Sequence, residues 1–279
     1  MVQQAWVTAM AIDLNRHVPP RSAGDGAIGA KEKLQREHTA TPSAELLVPW
    51  QAIVPILLMI TTALASVSFV TLATRYQFGY NPPNWLVRRV NVDEEANIPT
   101  WFATCLLFSA AGLLFLIARA KQLLRDRFSV YWFGLSLMFL YLSVDEAASL
   151  HEMAMAPTRA LLALSGPLYA GWVIPAGVAL VILVLLYSRF LLALPRRTLC
   201  WFVFGGALYT GGAVGMELVA WGHIYPAYIA HPENWSGVVD MPFLVMTHSE
   251  EIMEMAGVIA FIQGLLGHLR ECLHQLVER

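Results

Sequence analysis

Residues 101–118 read WFATCLLFSAAGLLFLIA, an uninterrupted run without a charge. A helix rises 1.5 Å per residue, so about 20 mainly apolar residues cross a hydrocarbon core of about 30 Å. This run therefore predicts a spanning helix over 101–119. Working outward, comparable stretches lie at 51–73, 130–150, 168–190, 198–220 and 244–266. Only helices and closed barrels cross lipid, and runs of this length select helices. The expected fold is all-α: a polytopic transmembrane helix bundle of about six spans. Pro55 and Pro175 fall inside two of these stretches, where spanning helices tolerate them.

Composition agrees. Of 279 residues, 57% are hydrophobic and 14% charged, with mean hydropathy +0.55. Soluble domains carry about 25% charged residues. A net charge of −2 supplies no basic field for nucleic acid. Cys105, Cys200 and Cys272 are widely spaced and form no CxxC motif. This argues against a disulfide framework, a zinc knuckle and c-type haem attachment.

Residues 1–47 differ from the rest. Pro19, Pro20, Gly24, Gly26, Gly29, Pro42 and the run Lys31–Glu37 sustain no apolar period. They read as a largely disordered tail with at most one short helix. No basic residue precedes the first apolar stretch, against the pattern of a signal peptide. The expected domains are this tail, a six-span unit at 48–270 and a short C-terminal end at 271–279.

Lysine and arginine bias sets orientation. The tail carries Arg16, Arg21, Lys31, Lys33 and Arg36. The second-to-third connection carries Arg119, Lys121, Arg125 and Arg127, the fourth-to-fifth Arg189, Arg196 and Arg197, and the C-terminal end Arg270 and Arg279. Both termini are expected in the cytoplasm, with the protein in the bacterial cytoplasmic (inner) membrane. Arg75, Arg88 and Arg89 dilute the bias. Trp85, Trp101, Trp221, Tyr225, Tyr228 and Trp235 would form part of an outer aromatic belt. In the fifth span Ala207, Gly211 and Gly215 recur every four residues. Small residues at that spacing allow close helix packing, within the chain or in a homo-oligomer. No internal repeat is evident.

Four polar segments fall on the outer side in this topology. They are Asp93-Glu94-Glu95-Ala96-Asn97, Asp145-Glu146-Ala147-Ala148-Ser149-Leu150-His151-Glu152, Glu217 with His223 beyond it, and Thr247-His248-Ser249-Glu250-Glu251-Ile252-Met253-Glu254. A charged side chain deep in a bilayer costs at least about 2.5–3.5 kcal/mol on insertion scales. Such groups must pair, hold protons, bind a metal or line a wet cavity.

At about 100° per residue, His248, Glu250, Glu251 and Glu254 share one broad face. Asp145, Ser149 and Glu152 share a stripe, with Glu146 beside it. His151 joins them only if that helix ends first. Glu217 aligns with Gly206, Thr210 and Ala213. Carboxylates with histidines are ligands for zinc, iron or manganese. The candidate metal ligands are His248, Glu250, Glu251, Glu254, His151, Glu152 and Glu217. Glu146 and Asp145 are the candidate catalytic groups, and Glu94, Glu95 and Asn97 complete the site. The Glu-x-x-His element of di-metal bundles is absent.

Blander roles compete. The deep acids could form a structural network that sets helix register. Asp93, Glu94 and Glu95 could serve a solvated helix N-terminus. His223 and His231 read as interface residues, and His268 and His274 as unrelated inner groups. Met138, Met153, Met216 and Met255 read as packing. Asn234-Trp235-Ser236 matches a glycosylation acceptor.

The Glu95-x-Asn97-x-Pro99-Thr100-Trp101, Asp145-Glu146-x-x-Ser149-Leu150-His151-Glu152 and Glu250-Glu251-x-x-Glu254 segments resemble those of a group of bacterial integral membrane proteins. That resemblance implies a helical fold and no particular mechanism. Separately, Glu94-Glu95-Ala96-Asn97-Ile98-Pro99-Thr100 resembles the opening motif of the progestin/adiponectin-receptor and hemolysin III family, related to alkaline ceramidases. Glu250 and Glu254 then fall where that family has a His-x-x-x-His pair, and Trp101 where it has a histidine. This likeness implies a metal-dependent membrane hydrolase. Three functions remain open: a metal-dependent lipid hydrolase or lipid-modifying enzyme, a proton- or cation-coupled transporter, and a non-catalytic sensor or assembly subunit.

Overall fold

A computed structural model describes residues 50–80, 82–231, 233 and 239–279. The tail read over 1–47, Trp235 and the glycosylation match at 234–236 lie outside the described residues. Those described are helices and turns, in one unit that begins at Pro49. The helices are α1 (Trp50–Tyr76), α2 (Asn84–Val90), α3 (Ile98–Leu123), α4 (Ser129–Ala148), α5 (Met155–Leu162), α6 (Val173–Leu192), α7 (Arg196–Thr210), α8 (Glu217–Ala230) and α9 (Met241–Val277). Short 3₁₀ turns at His151–Ala154 and Gly166–Ala170 flank α5. A π-turn, Gly211–Met216, joins α7 to α8 in one continuous helix.

Five helices are long and apolar enough to cross a membrane, and α4 with the segment beyond its bend makes a sixth candidate. The protein is an all-α polytopic bundle. Two helices outrun the expected spans: Arg196–Ala230 has 35 residues and Met241–Val277 has 37. At 1.5 Å per residue each exceeds 50 Å, so their ends project from a core of about 30 Å. Thus α9 carries the chain in helix through most of the segment set apart at 271–279.

The helix starts are specified locally. Asn97 caps α3 by accepting the Thr100 N–H at 3.1 Å, with Pro99 in the first turn. Asp240 caps α9 by accepting the Phe243 N–H at 2.9 Å, with Pro242 in the first turn. Such caps contribute about 1 kcal/mol each. His223 on α8 bonds the Asp240 carboxylate at 2.8 Å, tying two elements together.

The centre of the bundle is α9, packed on α3, α7 and α1. Of its most apolar stretch 61% is buried, against 11% for α6. Below Glu254 its inward face is Met255, Val258, Ile259, Ile262, Leu265 and Leu269. These close on Leu106, Leu107, Ala110, Leu114 and Ile117 of α3 and on Phe139 and Phe202. His268 stacks on Trp132 at 4.8 Å near the far end of α9, with Glu271 3.7 Å from its Nδ1.

Close approach of α7 and the π-turn to α9 depends on glycines, and of the stripe expected only Gly211 meets α9, against the end of Met253. A Cβ on Gly257 would lie 2.7 Å from the Tyr209 nitrogen and 2.8 Å from the Gly205 oxygen. One on Gly212 would lie 2.8 Å from the Glu250 oxygen. Ala207 is exposed and Gly215 faces open space. The helix carries small residues on opposite sides, and the backbone of α9 selects Gly205 and Gly212. This glycine contact is used within the chain.

Gly257→Val will overpack this crossing at a cost of about 1–3 kcal/mol. Its thermal midpoint in detergent will fall by several degrees, whereas Gly215→Ala will leave the midpoint unchanged.

Candidate functional site

The site begins where α4 stops. Ser149 takes the left-handed conformation (φ 51°, ψ 40°) and ends the helix. The next segment leaves at 80°. The stripe of Asp145, Ser149 and Glu152 expected for an unbroken helix therefore does not form. Instead the chain folds His151 back onto Asp145. The His151 backbone N–H donates to Asp145 Oδ1 at 2.7 Å, and its ring Nδ1 lies 3.2 Å from Oδ2. With Nδ1–H donating to the carboxylate, Nε2 keeps its lone pair. Asp145, expected as a catalytic group, is thus committed to orienting His151.

The loop before α3 brings the second ligand. Asn97 is buried, and its side-chain amide donates to the Asn91 and Glu94 carbonyls at 2.5 and 2.7 Å. Ala96 is held at φ 57° between the cap and Glu95. Asn97 is therefore a folding residue. Glu94 is exposed and contributes its carbonyl to the loop, while Glu95 turns inward. The helix-dipole role considered for Asp93, Glu94 and Glu95 falls to Asn97, because all three precede the cap.

One ligand atom each from Glu95, His151 and Glu152 lie within 4.8 Å of one another. Two carboxylates and one imidazole are a donor set that could hold one cation, and Glu152 is the exposed member of the three. Asp145 behind His151 completes the carboxylate–histidine arrangement that orients metal-bound imidazoles.

Behind this group lies a deeper set of acids. Glu146 is in electrostatic range of Glu95, His151 and Asp145, and Glu254 of Glu146, Glu217 and Asp145. Glu250 faces Glu217 and Asp93, and Glu251 faces Glu254 and Glu146. Glu217, the first residue after the π-turn, accepts the Trp172 Nε1–H at 3.1 Å. Trp172 packs against the His151 ring at 4.9 Å. Tyr209 reaches the same group from α7. Among the described residues no lysine or arginine makes an ion pair with any of these acids.

Glu250, Glu251 and Glu254 thus converge with Glu146 and Glu217, but apart from the Glu95–His151–Glu152 group. His248 does not join as a ligand. Its Nδ1 lies 2.7 Å from the Leu244 carbonyl and its Nε2 2.9 Å from the Ser68 hydroxyl. Ser68 in turn accepts the Val92 N–H at 3.1 Å. With both ring nitrogens engaged, His248 is a joint locking α9, α1 and the acidic loop. Trp172, Ser68 and Tyr209 carried no signal in sequence, because each reaches the site from a distant element.

Two acids outside the spans show the electrostatic cost. Burial, then the charges of Glu217 and Glu94, push Asp93 up to about 7. Asp93 is nonetheless exposed by its own accessible surface. Glu95 is also raised, by burial first and then by Glu152; His151 opposes the shift.

A family model described as a domain of unknown function, DUF8692, matches residues 56–269. This chain belongs to the DUF8692 family. Searches of curated proteins and of solved structures find no match. The DUF8692 match includes every site residue named above, from Ser68 on α1 to Glu254 on α9.

The fold raises Asp93 from its ordinary value near 4 toward about 7. The folded state therefore binds more protons in that window, and stability falls as pH rises through it. In chelator, the thermal midpoint will decrease from pH 5 to pH 8. Asp93→Asn will make that decrease shallower and raise the midpoint at pH 8. A midpoint independent of pH would contradict this reading.

Proposed function

We propose that this protein is a metal-dependent membrane hydrolase or related lipid-modifying enzyme. The observation that supports it best is the approach of Glu95, His151 and Glu152 to within 4.8 Å, with Asp145 orienting the imidazole. The ion is zinc, iron or manganese by the chemistry of the donors. Such an ion, when bound, lowers the pKa of a coordinated water and polarises a substrate oxygen. Glu146, beside His151 and without a basic partner, accepts the proton of the attacking water. Trp172 and Glu217 wall the site and hold the His151 ring in place. The substrate is a membrane lipid, reached from the bilayer around the bundle. The likeness of Glu94–Thr100 to the receptor and ceramidase superfamily points the same way.

The protein sits in this reading in the bacterial cytoplasmic membrane, with both termini in the cytoplasm and the acidic face outward. A carrier would need a polar path to the opposite side. The acids stop at Glu254, and the interlocked apolar side chains from Met255 to Leu269 lie beneath it.

The test is metal analysis of the purified full chain after loading with zinc, iron or manganese. Wild type will retain about one equivalent of one metal, and Glu95→Gln and His151→Ala will lose it. Glu146→Gln will keep the metal and lower lipid hydrolysis about 10²–10⁴-fold. No retained metal in the wild type would overturn the proposal.

A further inference from the structure

The segment carrying His151 and Glu152 has a second surface. With 20 residues, α4 covers about 30 Å, the thickness of a hydrocarbon core, and it ranks as a candidate span together with the segment beyond its bend. The chain then turns by 80° into His151–Leu162. One side of this arm rests on the protein. Arg159 is half-buried, and its guanidinium lies 4.3 Å over the Tyr169 ring. Tyr169 contacts Trp221, Tyr225 and Tyr228 at 4.9–5.5 Å. Amphipathic aromatic rings of this kind concentrate at the headgroup level.

The other side is apolar and uncovered. Met153 is 74% exposed and Leu161 83%, with Pro157 exposed between them at spacings of four. On α4, before the bend, Tyr141 and Val144 are half exposed as well. Apolar burial contributes roughly 25 cal/mol per Å², so an uncovered apolar stripe gains by settling into lipid.

We infer that His151–Leu162 is an interfacial arm, docked on the bilayer surface at the acidic face through Met153, Pro157 and Leu161. Its partner is the headgroup–acyl boundary. Because Arg159 is turned to the protein, docking depends on apolar burial and not on anionic lipid. The arm starts with His151 and Glu152, so its seating fixes their distance from Glu95; this last consequence rests on the metal reading above.

The experiment uses the full chain with Cys105, Cys200 and Cys272 replaced by alanine, in vesicles of phosphatidylcholine with and without phosphatidylglycerol. A nitroxide is placed at Leu161→Cys, with Val144→Cys as lipid reference and Glu233→Cys as water reference. The label at 161 is expected to be rich in oxygen and poor in a water-soluble nickel reagent, like that at 144, in both lipids. Nickel accessibility matching that at 233 would overturn the arm, and docking only with the anionic lipid would overturn its apolar basis. In parallel, Leu161→Glu is expected to weaken zinc binding about tenfold, as loss of a supporting shell does. Unchanged zinc affinity would overturn the coupling. Lipid-like accessibility at 161 in a protein that binds no metal would leave the arm standing and remove the metal reading alone.

Discussion

Carboxylates gathered inside a membrane protein, with no lysine or arginine paired to them, impose one constraint on everything around them. Each isolated charge in such surroundings costs several kcal/mol, and like charges raise the cost for one another. The group must therefore hold protons, accept a cation from outside, or open to water. Asp93, Glu146, Glu217, Glu250, Glu251 and Glu254 all meet this condition together. The fold provides the Trp172 indole N–H to Glu217, one histidine at the edge, and partial accessibility of the acids.

Holding that arrangement requires rigid joints at its border. Three helix ends supply them. The Asn97 cap folds the acidic loop upon itself, the Asp240 cap is pinned by His223, and Ser149 turns the end of α4 back toward Asp145. His248 and Ser68 then fasten the loop to α9 and α1 through Val92. Beneath the acids, the glycine crossing between Gly205 and Gly257 lets backbones meet and leaves no channel between α7 and α9. Polar joints above and apolar interlock below confine the unusual electrostatics to one end of the bundle.

The bundle was legible in sequence because lipid demands long uncharged helices, and 101–118 can be little else. The deep glutamates were legible for a related reason: Glu250 and Glu254 are four apart, and that period survives wherever α9 is straight. Legibility failed where the helix departs from regularity. The left-handed Ser149 sends His151 and Glu152 to a place that no helical wheel predicts. The π-turn at Gly211–Met216 changes the winding just before Glu217, so its alignment with Gly206 and Thr210 does not carry over. Nor could spacing tell which glycines face α9, or that a buried serine would claim the free nitrogen of His248. These depend on partners remote in the chain.

The position of α9 in chain order matters for how the protein reaches the membrane. Its first half carries three glutamates and a histidine, making it a poor candidate for entering lipid alone. Synthesis proceeds from the N-terminus, so α1, α3, α4 and α7 emerge earlier. When α9 arrives, the groove that will receive its acids is already built. The most polar span thus inserts into protein rather than into lipid, and the acidic face is completed only when it arrives.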